Sequence, residues 1–404
     1  MPPSPPPMQS RQEIIERVRA LASRFRKRAE AAEDARRLPD ESVADMLGAG
    51  IARILIPPRF GGYGLGLDTW FDVALDISKA DASHGWCASL YIHHPHIIGM
   101  FPEQAQQAIW AAGPDVTIAA SVHPRAKATR ATGGYRVSGQ DSAFASGVEH
   151  SAWSFIGAFV QGTGTPEWMF FLIPAGDYTV RDTWLTAGMR ATGSNTIVTD
   201  NVFVPDTHVI SLAQLRDGKG PGGALHDSPI FRTPFYFYSP LTFATPMLGA
   251  AQGAYEYFRD WTRTRTAPNG APVADRASLQ VRMARAAADL DAAELLLRRA
   301  AGLPQAQEPL SSQLMARCAR DYARAAELSV AAIDTLMALS GAAGFATSNP
   351  IQRAWRDIHF ASMHVGVNTE NNYAYFGRTE FGLPPDPSQP FFCTFAQAQH
   401  DSTN

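Results

Sequence analysis

The sequence predicts an α+β chain in three parts: an N-terminal helical domain, a middle β-barrel domain and a C-terminal helical bundle. Three observations carry that expectation. Residues 10–114 show apolar positions at helical spacing. From Asp115 the texture changes to short β-rich runs broken by turns. Beyond about residue 235, long Ala-, Leu- and Arg-rich stretches with short connections return. The expected parts are a Pro-rich tail at 1–9, helices over 10–114, the barrel over 115–225, the bundle over 235–383 and a tail at 384–404.

The elements follow in order. Ile14, Ile15, Val18, Leu21 and Phe25 line one face of a first helix over 10–36. Pro39-Asp40-Glu41-Ser42 starts a second helix, which ends at Gly48 to Gly50. Pro57 to Gly64 is a turn-rich loop, and helical spacing resumes from Asp68 to about Ala112. Strand runs are expected at Val116–Ala120, Ala126–Thr132, Tyr135–Ser138, Trp153–Val160, Trp168–Ile173 and Thr196–Val204, with Gly133-Gly134 as a hairpin turn. Residues 206–234 form a Gly/Pro/Asp-rich connector. Helix signals then run from Pro240 to Arg378, the longest over Leu279–Ala301 and Gln313–Leu339.

Size and composition narrow the function. The chain has 404 residues, 45% of them hydrophobic, enough for two or three domains with a substantial core. A net charge of −3 offers no basic surplus for nucleic acid or an anionic membrane. No stretch approaches the roughly 20 apolar residues of a membrane span. Met1 to Pro7 lacks the apolar core of a signal peptide and is expected to be extended. Three scattered cysteines, Cys87, Cys318 and Cys393, fit free thiols in a reducing cytoplasm rather than a disulfide framework.

Several motifs point in one direction together. Pro57 to Gly64, Gly188-Met189-Arg190-Ala191-Thr192-Gly193-Ser194, Val202-Phe203-Val204-Pro205 and the stretch from Ser340 to Gly366 occur in that order. With the α–β–α layout, this pattern resembles the acyl-CoA dehydrogenase family over nearly all of the chain. That family commonly places a glutamate base where this chain reads Met363-His364-Val365-Gly366. The exchange of carboxylate for imidazole argues against acyl-CoA oxidation and for a flavin site that handles oxygen. Gly85-Trp86-Cys87-Ala88-Ser89, His94-Pro95, Ala119-Ala120-Ser121, Phe144-Ala145-Ser146-Gly147 and His364 are similar to the oxygenase components of two-component flavin-dependent monooxygenases, the aromatic hydroxylases that act on phenols.

That resemblance implies roles. Reduced FMN or FAD and O2 would form a C4a-hydroperoxide in a dry pocket. Ser146 would bond flavin N5, and His364 would manage the peroxide proton, a task suited to a side chain whose pKa lies near working pH. His94, with Ser121, would meet the phenol oxygen, although His93 and His96 leave the register open by one or two residues. Trp86, Ser194 and Gly341 would lie along the flavin. Arg263 and Arg265 would reach its phosphate, by the family's habit from a neighbouring subunit of a homotetramer. Apart from the resemblance, the aromatic run Tyr236, Phe237, Tyr238 and Phe243 either lines a roomy aromatic substrate pocket or packs the core at the start of the bundle. By spacing alone, Asp357, seven residues before His364, shares its helix face and either orients the imidazole or, as is more common, serves a structural ion pair with a bundle arginine. No dinucleotide-binding GxGxxG follows a strand, so a separate NAD(P)H:flavin reductase is the expected partner.

Rival readings are weaker. His93, His94 and His96 have no zinc spacing, so no metal site is expected. The hydrolase motif Gly-x-Ser-x-Gly is absent. An N- or S-oxidising monooxygenase of the same fold, a true acyl-CoA dehydrogenase and a non-catalytic flavin-fold module remain as alternatives.

Overall fold

The computed structural model describes residues 10–162, 166–303, 310–389 and 392. The tail expected at 1–9, Cys393 and most of the tail beyond Gln389 lie outside the described residues.

Five helices open the chain: α1 (Arg11–Ala35), α2 (Asp40–Gly48), α3 (Leu67–Ala80), α4 (Ala82–Ile98) and α5 (Glu103–Trp110). Ser10 and Glu13 form a reciprocal capping box that starts α1. Asp81 caps α4 by accepting from the His84 backbone N–H. Every residue of α4 is buried, so it is the central rod of the N-terminal part and carries both Trp86 and His94.

The sheet comprises β1 (Ile118–Ala131), β2 (Gly134–Ala145), β3 (Trp153–Val160), β4 (Glu167–Pro174), β5 (Thr179–Arg181), β6 (Asn195–Pro205) and β7 (Val209–Ser211). Its order is β5-β6-β2-β1-β3-β4-β7. The expected barrel is therefore an open sheet. Its end strands β5 and β7 are only three residues long, and no pairing joins them. The hairpin turn falls one residue earlier than expected, because Gly134 already pairs with Ala131. Side chains alternate across the sheet. Ile156, Phe171 and Ile173 build a small core on one face, while Phe155, Phe170 and Leu172 join the helical core on the other.

One irregularity matters for the site. β1 is a single long strand, not two runs, and its pairing with β3 slips between Ser121 and Ala126. Residues 122–125 of β1 stand opposite Gly157 alone. Only glycine fits there, since a Cβ on Gly157 would sit 2.1 Å from the Val122 carbonyl oxygen.

After β7 come α6 (Leu212–Arg216), α7 (Phe235–Tyr238) and the bundle helices α8 (Leu241–Arg263), α9 (Ala277–Gly302), α10 (Ser312–Ser340), α11 (Pro350–Ser362) and α12 (Thr369–Glu380). By length and composition alone, Ser312–Phe345 would cross a membrane, contrary to the sequence expectation. Its apolar face is instead spent inside the bundle, where Met315, Cys318, Tyr322, Ile333 and Leu336 are buried in the core.

Candidate active site

Several of the expected site residues gather where α4, the sheet, the start of α8 and the end of α11 meet. The first component of the site is a hydroxyl ladder. Phe144 and Gly147 both adopt left-handed backbone conformations, with φ of 65° and 67°. This turn at the end of β2 delivers the Ser146 hydroxyl to the indole of Trp86, whose Nε1–H donates to it at 3.1 Å. Ser146 lies 2.7 Å from Ser194, and Ser194 lies 2.7 Å from Thr192. Thr192 donates its proton to the Met189 carbonyl at 2.8 Å. A hydroxyl has one proton, so this last bond sets the direction of the others. Protons run from Trp86 to Ser146, Ser194, Thr192 and Met189. Ser146 therefore spends its own proton inward and presents a lone pair.

The second component is His364. It lies beyond the end of α11, as the cap of a short 3-10 turn, Val365–Val367. Its Nδ1 accepts the Gly366 backbone N–H at 3.0 Å. A backbone amide can only donate, so Nδ1 is bare and the neutral ring carries its proton on Nε2. The ring stacks on Phe243 with centroids 3.5 Å apart and meets the edge of Trp86 at 5.8 Å. Burial in this aromatic setting, with His123 adding a like charge, pushes its pKa down to about 3. Near neutral pH His364 is an uncharged Nε2–H donor.

His94 sits eight residues beyond Trp86 on α4, on the same face and roughly 12 Å along. Its Nδ1 lies 2.5 Å from the Ile118 carbonyl oxygen. A carbonyl only accepts, so here the proton is on Nδ1 and Nε2 is the bare acceptor. Burial lowers its pKa to about 4. Its neighbours are turned elsewhere. His93 bonds Thr242 and His96 bonds the Ile230 carbonyl, and the second nitrogen of each is enclosed without a partner. The free nitrogen of His94 is not enclosed in that way. Ser121, buried on β1, donates to the Ala143 carbonyl at 2.8 Å and so also offers a lone pair.

Trp86, Ser146, Ser194, Phe243 and His364 thus come together, and other expected residues do not. Tyr236 points away, bonding Asn372 at 3.2 Å in a separate aromatic cluster with Tyr375 and Phe392. Arg263 pairs with Asp260, and Arg265 lies over the Trp261 ring at 4.2 Å. Both stand at the far end of α8, roughly 30 Å from Phe243. Within one chain they serve a different place. Gly341 ends α10 with a left-handed φ of 62° and touches none of the site side chains described above. Asp357 does not orient His364, because the helix ends between them. Its carboxylate accepts the Met189 N–H at 2.6 Å and so anchors the inner end of the hydroxyl ladder.

Two contributors escaped the sequence reading. Thr192 sets the ladder's direction. His123 lies in the β1 bulge and is close enough to His364 to act on it electrostatically. Pro124 within a strand run was the available signal, since proline in a sheet marks an edge or a bulge.

A flavin fits these surroundings. Around the polar ladder the apolar side chains Phe144, Met363 and Val365 are exposed, Met363 by 77%. A flat ring system with apolar faces and a polar edge would cover them while meeting the hydroxyls. The buried Arg265 Nη1 has no partner, which suits an anionic group from outside this part of the chain.

Comparison with known proteins agrees. A family model described as acyl-CoA dehydrogenase, N-terminal domain, matches residues 8–113, and one described as acyl-CoA dehydrogenase, C-terminal domain, matches residues 241–369. The flavin-dependent monooxygenase oxygenase subunit HsaA of Mycobacterium tuberculosis is 35% identical over 93% of this chain and 96% of its own. The FADH2-dependent resorcinol hydroxylase oxygenase component of a Rhizobium species is 35% identical over 95% and 98%. The crystal structure of 3-HSA hydroxylase from Rhodococcus sp. RHA1 superposes with a TM-score of 0.88 at 34% identity, covering 93% of this chain and 98% of that one.

Proposed function

This chain belongs to the acyl-CoA dehydrogenase family, among its flavin-dependent monooxygenase oxygenase components, and we propose that it hydroxylates a phenolic substrate with reduced FAD or FMN and O2. A separate NAD(P)H:flavin reductase supplies the reduced flavin. Reduced flavin, when bound, supplies the two electrons that activate O2, one atom of which enters the substrate while the other leaves as water.

The observation that carries the reading is a pair of histidines locked in opposite tautomers. His364 presents an N–H, and His94 presents a lone pair. The first holds or returns a proton on the oxygen side of the site. The second accepts the hydrogen bond of a phenol O–H, making the ring carbon a better nucleophile. Ser121 adds a second acceptor near the same oxygen. Ser146, committed as an acceptor, is matched to a reduced flavin, whose N5 carries hydrogen. Trp86 and Phe243 wall the site and exclude water.

Arg263 and Arg265 serve a neighbouring subunit's flavin in this reading, within a homotetramer. The buried thiols Cys87 and Cys318 suit a reducing cytoplasm.

The test is coupling. Protein supplied with chemically reduced FAD, then with FMN, is mixed with oxygenated buffer and a panel of phenols, and product and hydrogen peroxide are both counted. The wild type is expected to yield product, and His364→Ala to release mostly peroxide, with product per flavin down by on the order of tenfold or more. Absence of product from every phenol, together with bleaching of oxidised flavin by an acyl-CoA, would overturn the proposal.

A further inference from the structure

The turn that fixes His364 is itself held from behind. Asn372, on the first turn of α12, has no exposed surface. Its Nδ2 donates to the Asn368 carbonyl at 2.7 Å and to the Gly366 carbonyl at 3.4 Å. Its Oδ1 accepts from the Tyr236 hydroxyl at 3.2 Å. Gly366 is thus gripped at both backbone groups: its N–H by His364 and its carbonyl by Asn372. Tyr236 is fixed in turn by Phe392, whose ring meets it edge-on at 4.6 Å and stacks on Tyr375 at 4.3 Å. A continuous path therefore leads from Phe392 through Tyr236 and Asn372 to Gly366 and the Nδ1 of His364.

We infer that Asn372, backed by Tyr236 and Phe392, is a positioning residue that holds the His364 turn and so keeps that imidazole in its Nε2–H form. The physical reason lies in the turn. A three-residue 3-10 segment has few internal bonds and would otherwise sample other conformations. Losing the Gly366 grip frees Nδ1 to take the proton, since the two neutral tautomers of an unbonded imidazole are close in energy. Phe392 would then act on the flavin site without touching it. This inference rests on the role given to His364 above.

The test uses the full chain without flavin. Hydrogen exchange of the Gly366 amide and the nitrogen NMR shifts of His364 are followed in Asn372→Leu, in Phe392→Ala and in the conservative Phe392→Tyr. Asn372→Leu and Phe392→Ala are expected to speed Gly366 exchange at least tenfold and to mix the His364 tautomers, with amides in α3 and α4 unchanged. Phe392→Tyr is expected to behave as wild type. Unchanged exchange and tautomer in both disruptive variants overturns the inference, as does a uniform rise throughout the bundle, which would mark a merely structural role. Coupling is measured alongside. If the wild type hydroxylates no phenol, the functional proposal falls while the exchange and NMR results still judge the brace.

Discussion

At the scale of single residues, the site works through hydrogen-bond direction, and direction is set by backbone groups. Gly366 shows how little room there is. A Cβ at that position would lie 2.8 Å from the Phe243 ring and 3.3 Å from the His364 Nδ1. Phe243 would have to leave its stack on His364, and a forced repacking of this kind costs about 1–3 kcal/mol. Gly366→Ala is therefore expected to fold with a lowered urea midpoint and to lose product yield per reduced flavin more steeply than flavin affinity. Equal losses in yield and affinity would show that the stack serves only to bind flavin. His364 and Ser146 were visible in the sequence only through the family resemblance carried by Met363-His364-Val365-Gly366 and Phe144-Ala145-Ser146-Gly147, since by type alone each is an ordinary residue. The sequence did not make their proton directions visible. Those depend on Gly366 N–H, Ile118 C=O and Met189 C=O, backbone groups that every sequence has and whose placement only the fold determines.

At the scale of elements, α11 is the strut that joins the two halves of the site. Arg353 pairs with Glu33 and Asp81, and Arg356 pairs with Glu33, pinning the helix to α1 and the start of α4. Asp357 is buried beside these carboxylates. Burial and the nearby Asp81 push its pKa up to about 7, even as the Met189 N–H pulls the other way. A carboxyl whose folded pKa is raised destabilises the fold increasingly as pH climbs from its unfolded value near 4 to the folded value near 7. Asp357→Asn keeps the acceptor for Met189 and removes the charge. Its melting temperature is expected to exceed that of wild type by roughly 2 °C or more at pH 8, with a gain that shrinks steadily toward pH 4. A gain independent of pH would mean that Asp357 is not ionising in this range. The strands were legible where a continuous β-rich run stands between turns, as in Trp153–Val160, which is β3 residue for residue and buried along almost its whole length. They were not legible at β5 and β7, because three residues carry no period, nor at the β1 bulge, where only the opposing strand defines the slip.

At the scale of the whole molecule, the three-part order was legible because helical and strand textures occupy separate stretches of sequence. Sheet closure was not legible, since it depends on whether end strands meet. The same compact assembly leaves an electrostatic signature in its histidines. His94, His96 and His226 are driven down to about 4, His364 to about 3 and His93 well below its ordinary value, in each case first by burial. In the unfolded chain all five titrate near 6.5. Between pH 6.5 and about 4 the unfolded chain therefore takes up protons that the fold refuses. Stability is fully present above that window and falls as pH drops through it, by up to about 1.4 kcal/mol per pH unit for each histidine. Asp357 acts with the opposite sign over nearly the same range and cancels one of the five. The expected net result is a fall in stability as pH drops below about 6.5. Urea midpoints measured from pH 8 to 4.5 check this directly. A curve that stays flat between pH 6.5 and 5 would mean that these imidazoles reach solvent in the native state, and the dry, uncharged site required of His94 and His364 would fall with it.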